Sequence, residues 1–464
     1  MTDNNKQIQI DPAAQAWVQK VLDAKHIELN RMVVRREAWR IDATPSKGGD
    51  KQCYFLRIDR DGLRGNAGPR GLKREAGLIR HLSEHTSIPT QKVLTWSDEH
   101  CIAIQSFEPG RADLHNVTRE EQHSVMSEFM DIMAEMHCID VHALTLEGFE
   151  IPTTPEAHSL MELDAIDSQI DYSLPPDSTT LLGSFGKRWL RNHVPVQVER
   201  TSLLQGDTGA GNFMFADGRV TAVVDWEWAH FGDPMEDLGN VWFRDFFTPS
   251  CGGDLTGYFQ HYAAKAGVQL DRSKIIYYLV HQIIRGVVFL PRLTRHADWQ
   301  TTVALNLGYL AICDITCCEA IGLYHGITAP EVERLPITDN TEEGDLYRLI
   351  TQQLERGIAP KLSDDFACSM LTGVADVVRH LERRHVNGSR ADAMELEGIN
   401  GLLGERYLQL DKARRAFNTE LATMPAAEEL NVLAHCWGVA SRNMDLMAPL
   451  ADRWRHCRLA SVNV

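Results

Sequence analysis

Positive charge is in short supply in this sequence. Over 464 residues, 47 Lys and Arg face 64 Asp and Glu, a formal net charge of −17. That balance argues against the broad cationic face needed for general nucleic-acid or anionic-membrane binding, so neither partner is expected. It leaves room for a local pocket that takes nucleotide phosphates. Paired cysteines are also missing: the ten cysteines are scattered without a CxxC unit. Cys313, Cys317 and Cys318 fall at helical spacing and read as small core residues rather than metal ligands. The chain therefore reads as reduced and cytoplasmic. The opening residues Met1 to Lys6 are polar, without the apolar core of a secretory signal. The longest apolar stretch, Thr301 to Tyr324, is interrupted by Asn306, Asp314 and Glu319, which predicts a buried helix rather than a membrane span. Neither a low-complexity tract nor a repeat of fixed period is visible. What remains, 44% hydrophobic and 24% charged, is enough for a large core, and the length allows about two to four domains.

The informative part of the chain is the run Leu204-Gln205-Gly206-Asp207-Thr208-Gly209-Ala210-Gly211-Asn212, followed by Val223-Val224-Asp225-Trp226-Glu227. Between the two stretches, Phe213-Met214-Phe215 is a short apolar run, and Asp217-Gly218 is a strong two-residue hairpin signal. The β-branched run Val220, Thr221, Val223, Val224 reads as the return strand. Asn212 stands just before the outgoing strand and Asp225 just after the returning one. Both are thus predicted at the open end of a hairpin, beside the Gly-rich turn that carries Asp207. An Asn and an Asp can hold Mg²⁺, a hard ion that prefers few carboxylates plus phosphate oxygens and water. A further carboxylate at Asp207 completes what phosphoryl transfer to a hydroxyl needs. Taken singly, each residue would read as a solvated or capping polar group; their joint spacing is what points to phosphoryl transfer.

Around this centre, Ile10 to Lys25 reads as a helix started by Asp11-Pro12. Arg31 to Ile41, Gln52 to Asp59, Val93 to Trp96 and Cys101 to Ser106 read as strands of a small antiparallel sheet. A Gly-rich loop spans Gly62 to Gly71, and Leu72 to His85 is an amphipathic helix containing Glu75. From about Pro109 the period becomes helical, beginning with Arg119 to His137. Pro152 to Asp177 reads as an irregular or short-helix insert, and helices follow at Gly257–Gly267, Ser273–Leu290 and Thr301–Tyr324. Beyond a polar linker, Leu346–Leu362, Phe366–His385, Ala391–Leu421 and Ala426–Arg455 read as successive helices. The expected fold class is α+β, divided into an N-terminal helical extension (1–24), a β-rich nucleotide-binding lobe (25–108), a helical catalytic lobe (109–330), a linker (331–344) and an all-α accessory domain (345–464). Arg57 inside an apolar strand favours a functional role over an edge position. Asp233 reads as a helix cap, Asp237 as structural, and His137 and His142 as ordinary surface or core histidines. At least one of Trp226 and Trp228 reads as core.

The motifs QGDTGAGN and VVDWEWAHFGDPMEDLG resemble the aminoglycoside phosphotransferase and choline kinase-like family, which shares the two-lobed protein-kinase fold. The similarity spans roughly residues 25 to 330 and is greatest to the kinase domain fused to certain acyl-CoA dehydrogenases. The C-terminal helices are similar to a helical domain that accompanies such phosphotransferases. The resemblance implies Asp207 as catalytic base, Asn212 and Asp225 as Mg²⁺ ligands, and Glu227 near the metal and phosphate end. It implies Arg57 as the phosphate-contacting cation on its strand, Glu75 as that cation's partner, and Asp237 as a brace for the catalytic loop. The chain departs from the family pattern in three places. Gln205 stands where His is usual, Arg57 where Lys is more familiar, and Val34 to Trp39 holds no glycine loop between the first two strands.

The activity implied is a small-molecule kinase that moves the γ-phosphate of ATP or GTP to a hydroxyl, with Mg²⁺ as cofactor. A hydroxyacid or hydroxyacyl thioester is the first acceptor considered, an aminoglycoside the second. A nucleotide-binding scaffold without catalysis is the reading from another class. The C-terminal helices offer a surface for homo-oligomerisation. A protein kinase is disfavoured, because Asp225 runs directly into Gly232-Asp233-Pro234 with no long activation segment between.

Overall fold

The computed structural model describes residues 10–32, 37–63, 71–168, 178–295, 301–337, 341–454 and 456–464. Most of the Gly62–Gly71 loop, part of the Val34–Trp39 turn, the end of the Pro152–Asp177 insert and part of the polar linker lie outside the described residues.

Helix α1 (Pro12–Val21) starts where the Asp11 side chain accepts the N–H groups of Ala13 and Ala14, with Pro12 at the first helical position. It buries Ala14 and Val18, next to Ile10, against one face of a five-stranded antiparallel sheet. The strands are β1 (Ala24–Arg31), β2 (Ala38–Pro45), β3 (Gln52–Ile58), β4 (Val93–Ser97) and β5 (Ile102–Ser106), in the order β1-β2-β3-β5-β4. The sequence expectation is corrected here. The helix stops at Val21, and Ala24–Arg31 forms a strand before Arg31, the residue expected to open the first one. A bulge between Ala24 and His26 breaks the register of β1 with β2. The burial of β1 consequently shows no clean alternation for a period-two reading to find.

A short helix, α2 (Arg60–Leu63), follows β3, and α3 (Leu72–His85) packs Leu78, Ile79 and Leu82 inward with Glu75 in its first turn. The second lobe contains α4 (Arg119–His137), α5 (Pro155–Asp167), α6 (Ser178–Asn192), β6 (Ser202–Leu204), β7 (Phe213–Ala216), β8 (Arg219–Val223), β9 (His230–Gly232), α7 (Met235–Phe247), α8 (Thr256–Ala266), α9 (Arg272–Arg295) and α10 (Val303–His325). Strands β7 and β8 form the expected hairpin. Its turn residues Asp217 and Gly218 both take positive φ, 51° and 73°. Strand β6 pairs antiparallel with β9. Helices α9 and α10 are long and apolar enough to cross a membrane by composition, but 83% and 67% of their apolar windows lie inside the molecule. They are core helices.

The C-terminal region holds α11 (Asp345–Gln352), α12 (Asp365–Leu403), α13 (Leu410–Leu421) and α14 (Glu429–Ala451). Expected as two segments divided near residue 388, the stretch 366–403 is one continuous helix. Asn387 and Gly388 are buried in its middle, where Asn387 Nδ2 bonds the Arg383 carbonyl, so this local turn signal is overridden by packing. The chain turns instead at Gly404, with φ 65°. These helices share a core with the second lobe: Ile399, Phe417, Leu433 and Trp437 belong to the same buried cluster as Phe213, Trp226 and Trp242. The chain end also returns to that lobe. The Ser461 carbonyl accepts from Leu255 N, its N–H donates to the Gly253 carbonyl, and the Trp242 indole donates to the Ala460 carbonyl.

Candidate active site

The Gly-rich turn between β6 and β7 carries Asp207, and its shape depends on glycine. Gly206 has φ 80°, and a Cβ there would collide with the Trp228 carbonyl. Gly211, at φ 93°, leaves the space that the Arg244 guanidinium fills. The open end of the β7–β8 hairpin closes as its sequence predicts, with Val224 N donating to the Asn212 carbonyl at 2.9 Å. Asn212 and Asp225 are thereby brought side by side, and Asp225 sits in the left-handed region at φ 59°, ψ 61°. Asn212 Nδ2 lies 2.8 Å from Asp207 Oδ2. The turn and the hairpin are therefore one constellation.

Gln205 joins the two halves. Its side-chain N–H group donates to the carbonyls of Val224 (3.0 Å) and Asp225 (2.7 Å), while its Oε1 accepts from Asp207 N (2.9 Å) and the Thr208 hydroxyl (3.3 Å). The unorthodox residue at the head of the motif thus makes four hydrogen bonds, two within the turn that carries Asp207 and two to the loop that carries Asp225. Beneath it, Asp237 Oδ2 and Oδ1 accept from the backbone N–H groups of Gln205 and Gly206, both at 3.0 Å, and Oδ2 also meets His137 Nε2 at 3.0 Å. Burial alone would raise the Asp237 carboxyl; the His137 ring, the Thr208 hydroxyl and the Gly206 N–H outweigh it and hold the group below its usual range. Asp237 is a buried brace, as expected, and His137 is part of that brace. Asp233 accepts from Met235 N at the start of α7 and pairs with Lys274 Nζ at 3.0 Å. Trp226 is fully buried.

Arg57, placed on β3 opposite Ala38 and Ala103, meets three carboxylates. Its Nη1 is 2.7 Å from Glu75 Oε1 on α3 and 3.6 Å from Asp225 Oδ1, and its Nη2 is 3.5 Å from Glu227 Oε2. Burial would lower the guanidinium pKa, but Glu75, Asp225 and Glu227 together raise it above its ordinary value. A cation from one lobe is therefore held between that lobe's helix and the other lobe's loop. Glu227 is itself buried and faces Arg57, whereas the Asp225 side chain keeps 36% of its surface exposed toward the cleft. The carbonyl oxygen of Asn212 and the carboxylate of Asp225 form a hard oxygen donor set that suits Mg²⁺.

Three site residues were not anticipated. Arg244 on α7 reaches Asp207 Oδ2 (3.3 Å), Asn212 Oδ1 (3.1 Å) and the Ala210 carbonyl (3.1 Å from Nη2). Gln282 on α9 donates to Asp207 Oδ1 at 2.9 Å. Arg285, one turn further, donates to Gln282 Oε1 and the Gly206 carbonyl and lies 3.4 Å from Glu236 Oε1. The Asp207 carboxylate is thus gripped by Asn212, Arg244 and Gln282. The available signal is a polar side chain in an otherwise apolar helix: Arg244 within Val241-Trp242-Phe243-Arg244, and Gln282 and Arg285 three apart on α9.

With this geometry, comparison with known proteins is informative. Residues 42–272 match the model of the phosphotransferase enzyme family. Acyl-CoA dehydrogenase family member 10 of Mus musculus is 27% identical over 177 residues, 37% of this chain and 15% of the mouse protein. Acyl-CoA dehydrogenase family member 11 of Gallus gallus is 26% identical over 111 residues, 24% of this chain and 14% of the chicken protein. The chain therefore spans only a small part of either relative. Among solved structures, a Ralstonia eutropha protein described as an aminoglycoside phosphotransferase aligns with 68% of this chain and 98% of its own, with a TM-score of 0.50 and 20% identity, which shows a shared fold. From the middle of β2 to the first residue of α9, this chain belongs to the phosphotransferase enzyme family and carries a phosphotransferase domain of the two-lobed, kinase-like fold.

Proposed function

We propose that this protein is an ATP-dependent kinase that phosphorylates a hydroxyl of a small metabolite. The observation that carries the reading is the convergence of Asp207, Asn212 and Asp225 in one cleft, with Arg57 entering from the opposite lobe. Asp207, oriented by Asn212, Arg244 and Gln282, receives the acceptor hydroxyl and takes its proton late in a loose transition state. Arg57, anchored by Glu75 and Glu227, presents positive charge to the nucleotide phosphates, and a guanidinium suits this because it grips phosphate oxygens bidentately. Asn212 and Asp225 would hold Mg²⁺, which would neutralise negative charge on the nucleotide phosphates. Rate enhancement then comes chiefly from positioning and preorganised electrostatics.

For the acceptor, a hydroxyacid or hydroxyacyl thioester is our first choice. It is supported by relatives that bear the name of acyl-CoA dehydrogenases, and it fits a reduced, cytoplasmic setting. The test is product analysis by mass with ATP and Mg²⁺ against hydroxyacids, hydroxyacyl thioesters, amino alcohols and aminoglycosides. Asp207→Ala is expected to lower turnover about 10³-fold, within the range for a general base, with ATP affinity retained. Near-normal turnover in that variant would overturn the assignment of Asp207, and preferential turnover of an aminoglycoside would overturn the acceptor class.

A further inference from the structure

Outside the Asp207 site, three helix ends meet. His193 directly follows α6, His325 closes α10, and Glu429 opens α14. Glu429 Oε1 lies 3.1 Å from His325 Nε2 and 3.5 Å from His193 Nε2. One ligand atom from each of the three falls within 4.8 Å of the others. The hydrogen-bond pattern is what makes this group unusual. His193 Nδ1 lies 2.8 Å from the Trp189 carbonyl, which can only accept, so Nδ1 carries the proton and the neutral ring turns an Nε2 lone pair toward Glu429. The Trp189 indole N–H, which can only donate, points at His325 Nε2 from 3.2 Å, so that nitrogen also bears a lone pair in the neutral ring. One imidazole lone pair, on His193, is thus turned toward the carboxylate, and that of His325 Nε2 is held by the Trp189 indole N–H, which a metal would displace.

We propose that His193, His325 and Glu429 form a Zn²⁺ site that staples the accessory helix α14 to the catalytic lobe. Two zinc–ligand bonds at a tetrahedral angle separate their ligand atoms by about 3.3 Å, given bonds of about 2.0–2.2 Å, and the observed 3.1 and 3.5 Å bracket that value. Neutral imidazole with carboxylate is a donor set for zinc rather than for Mg²⁺ or Ca²⁺. The rings are held in place beforehand: His193 stacks on Trp189 at 4.5 Å between centroids, and Tyr324 meets His193 edge-on at 5.2 Å. The bond from His193 Nδ1 to a backbone carbonyl is the outer-shell support that metal-binding histidines use. The C-terminal ends of α6 and α10, both partially negative, meet there against the single N-terminal end of α14, so the helix dipoles favour a cation on balance. The three side chains retain 20%, 22% and 14% of their surface, which leaves a path for the ion and for a water as fourth ligand.

The test is calorimetric titration of EDTA-stripped full-length protein with Zn²⁺, alongside Co²⁺ absorption spectra. The ten free cysteines could take zinc elsewhere, and Co²⁺ separates the two cases because a His₂–carboxylate site gives d–d bands without thiolate charge transfer. One equivalent should bind and raise the melting temperature in a concentration-dependent way. His193→Gln and Glu429→Gln should each weaken binding by at least about tenfold, the loss that even an outer-shell partner can cause. Each variant should also lose the Co²⁺ bands while keeping its far-ultraviolet dichroism. Absence of stoichiometric binding, thiolate bands, or binding unchanged in folded Glu429→Gln would overturn the proposal. Glu429→Gln preserves shape and size, so it keeps the test open if His193→Gln does not fold.

Discussion

Two regions close on Asp207, and they differ in how they are encoded. One is the turn and hairpin from Gln205 to Glu227, continuous in sequence and tied together by Gln205 and by the Val224-to-Asn212 backbone bond. The other is supplied by α7 and α9: Arg244 and Gln282 reach the same carboxylate, and Arg285 backs them through Gln282 and the Gly206 carbonyl. The first sets where the reacting groups stand relative to one another. The second sets how the Asp207 carboxylate is turned, since Oδ1 is fixed by Gln282 and Oδ2 by Asn212 and Arg244. A phosphotransferase site of this kind is therefore a local motif completed by distant helices.

If the local region carries the larger share of the positioning, breaking its link should have the larger effect. Gln205→Ala removes two hydrogen bonds to the Val224–Asp225 loop and two within the Asp207 turn, and kcat is expected to fall about 100-fold, the scale of an ångström-level misplacement. Gln205→His keeps one donor and one acceptor and should recover most of that loss. Steady-state kinetics on the folded variants checks this, and an Ala variant as active as wild type would show that the turn holds itself. On the helical side, Gln282→Leu removes one hydrogen bond to a charged group. A fall in kcat of about tenfold with little change in the KM for ATP is expected. If it exceeds the effect of Gln205→Ala, the ranking of the two regions reverses.

The smallest effect at neutral pH concerns the charge behind the helical side. Burial alone would raise the Glu236 carboxyl, but His230, His281 and Arg285 outweigh it and bring it down to about 2. Because the folded pKa lies below the ordinary 4.5, the ionised group contributes its stability in full above that value and loses it as pH falls toward about 2. Glu236→Gln should therefore melt lower than wild type near pH 7, with a shallower decline in melting temperature between about pH 5 and pH 3. Parallel acid limbs for the two proteins would remove Glu236 as the anchor of Arg285.

Legibility in the sequence followed the range of the interactions involved. The β7–β8 hairpin was readable because Asp217-Gly218 fixes its own turn, although the register slips once between Met214 and Phe215. Helix α3 with Glu75 was readable from its amphipathic pattern and strand β3 from the aromatic and apolar run around Arg57, and the structure pairs the two side chains at 2.7 Å. β1 was obscured by a bulge, and α12 carries a local turn signal at Asn387-Gly388 that packing overrides. Arg244 and Gln282 left only the faint trace of polar residues in apolar helices, because a helical face records burial but not what it faces.

By itself the sequence determined that Asp207, Asn212 and Asp225, the groups we propose to react, stand on one turn and one hairpin; the pairing of Arg57 with Glu75 came from the family resemblance. These are short-range choices, fixed by glycine conformation, turn chemistry and strand register. Only the tertiary structure decided what grips the Asp207 carboxylate, how Gln205 fills its unusual place, and that the C-terminal helices share the catalytic lobe's core. It alone brings together His193, His325 and Glu429, which lie on three helix ends. Contacts between residues so far apart in the chain depend on helix packing, which no local pattern encodes.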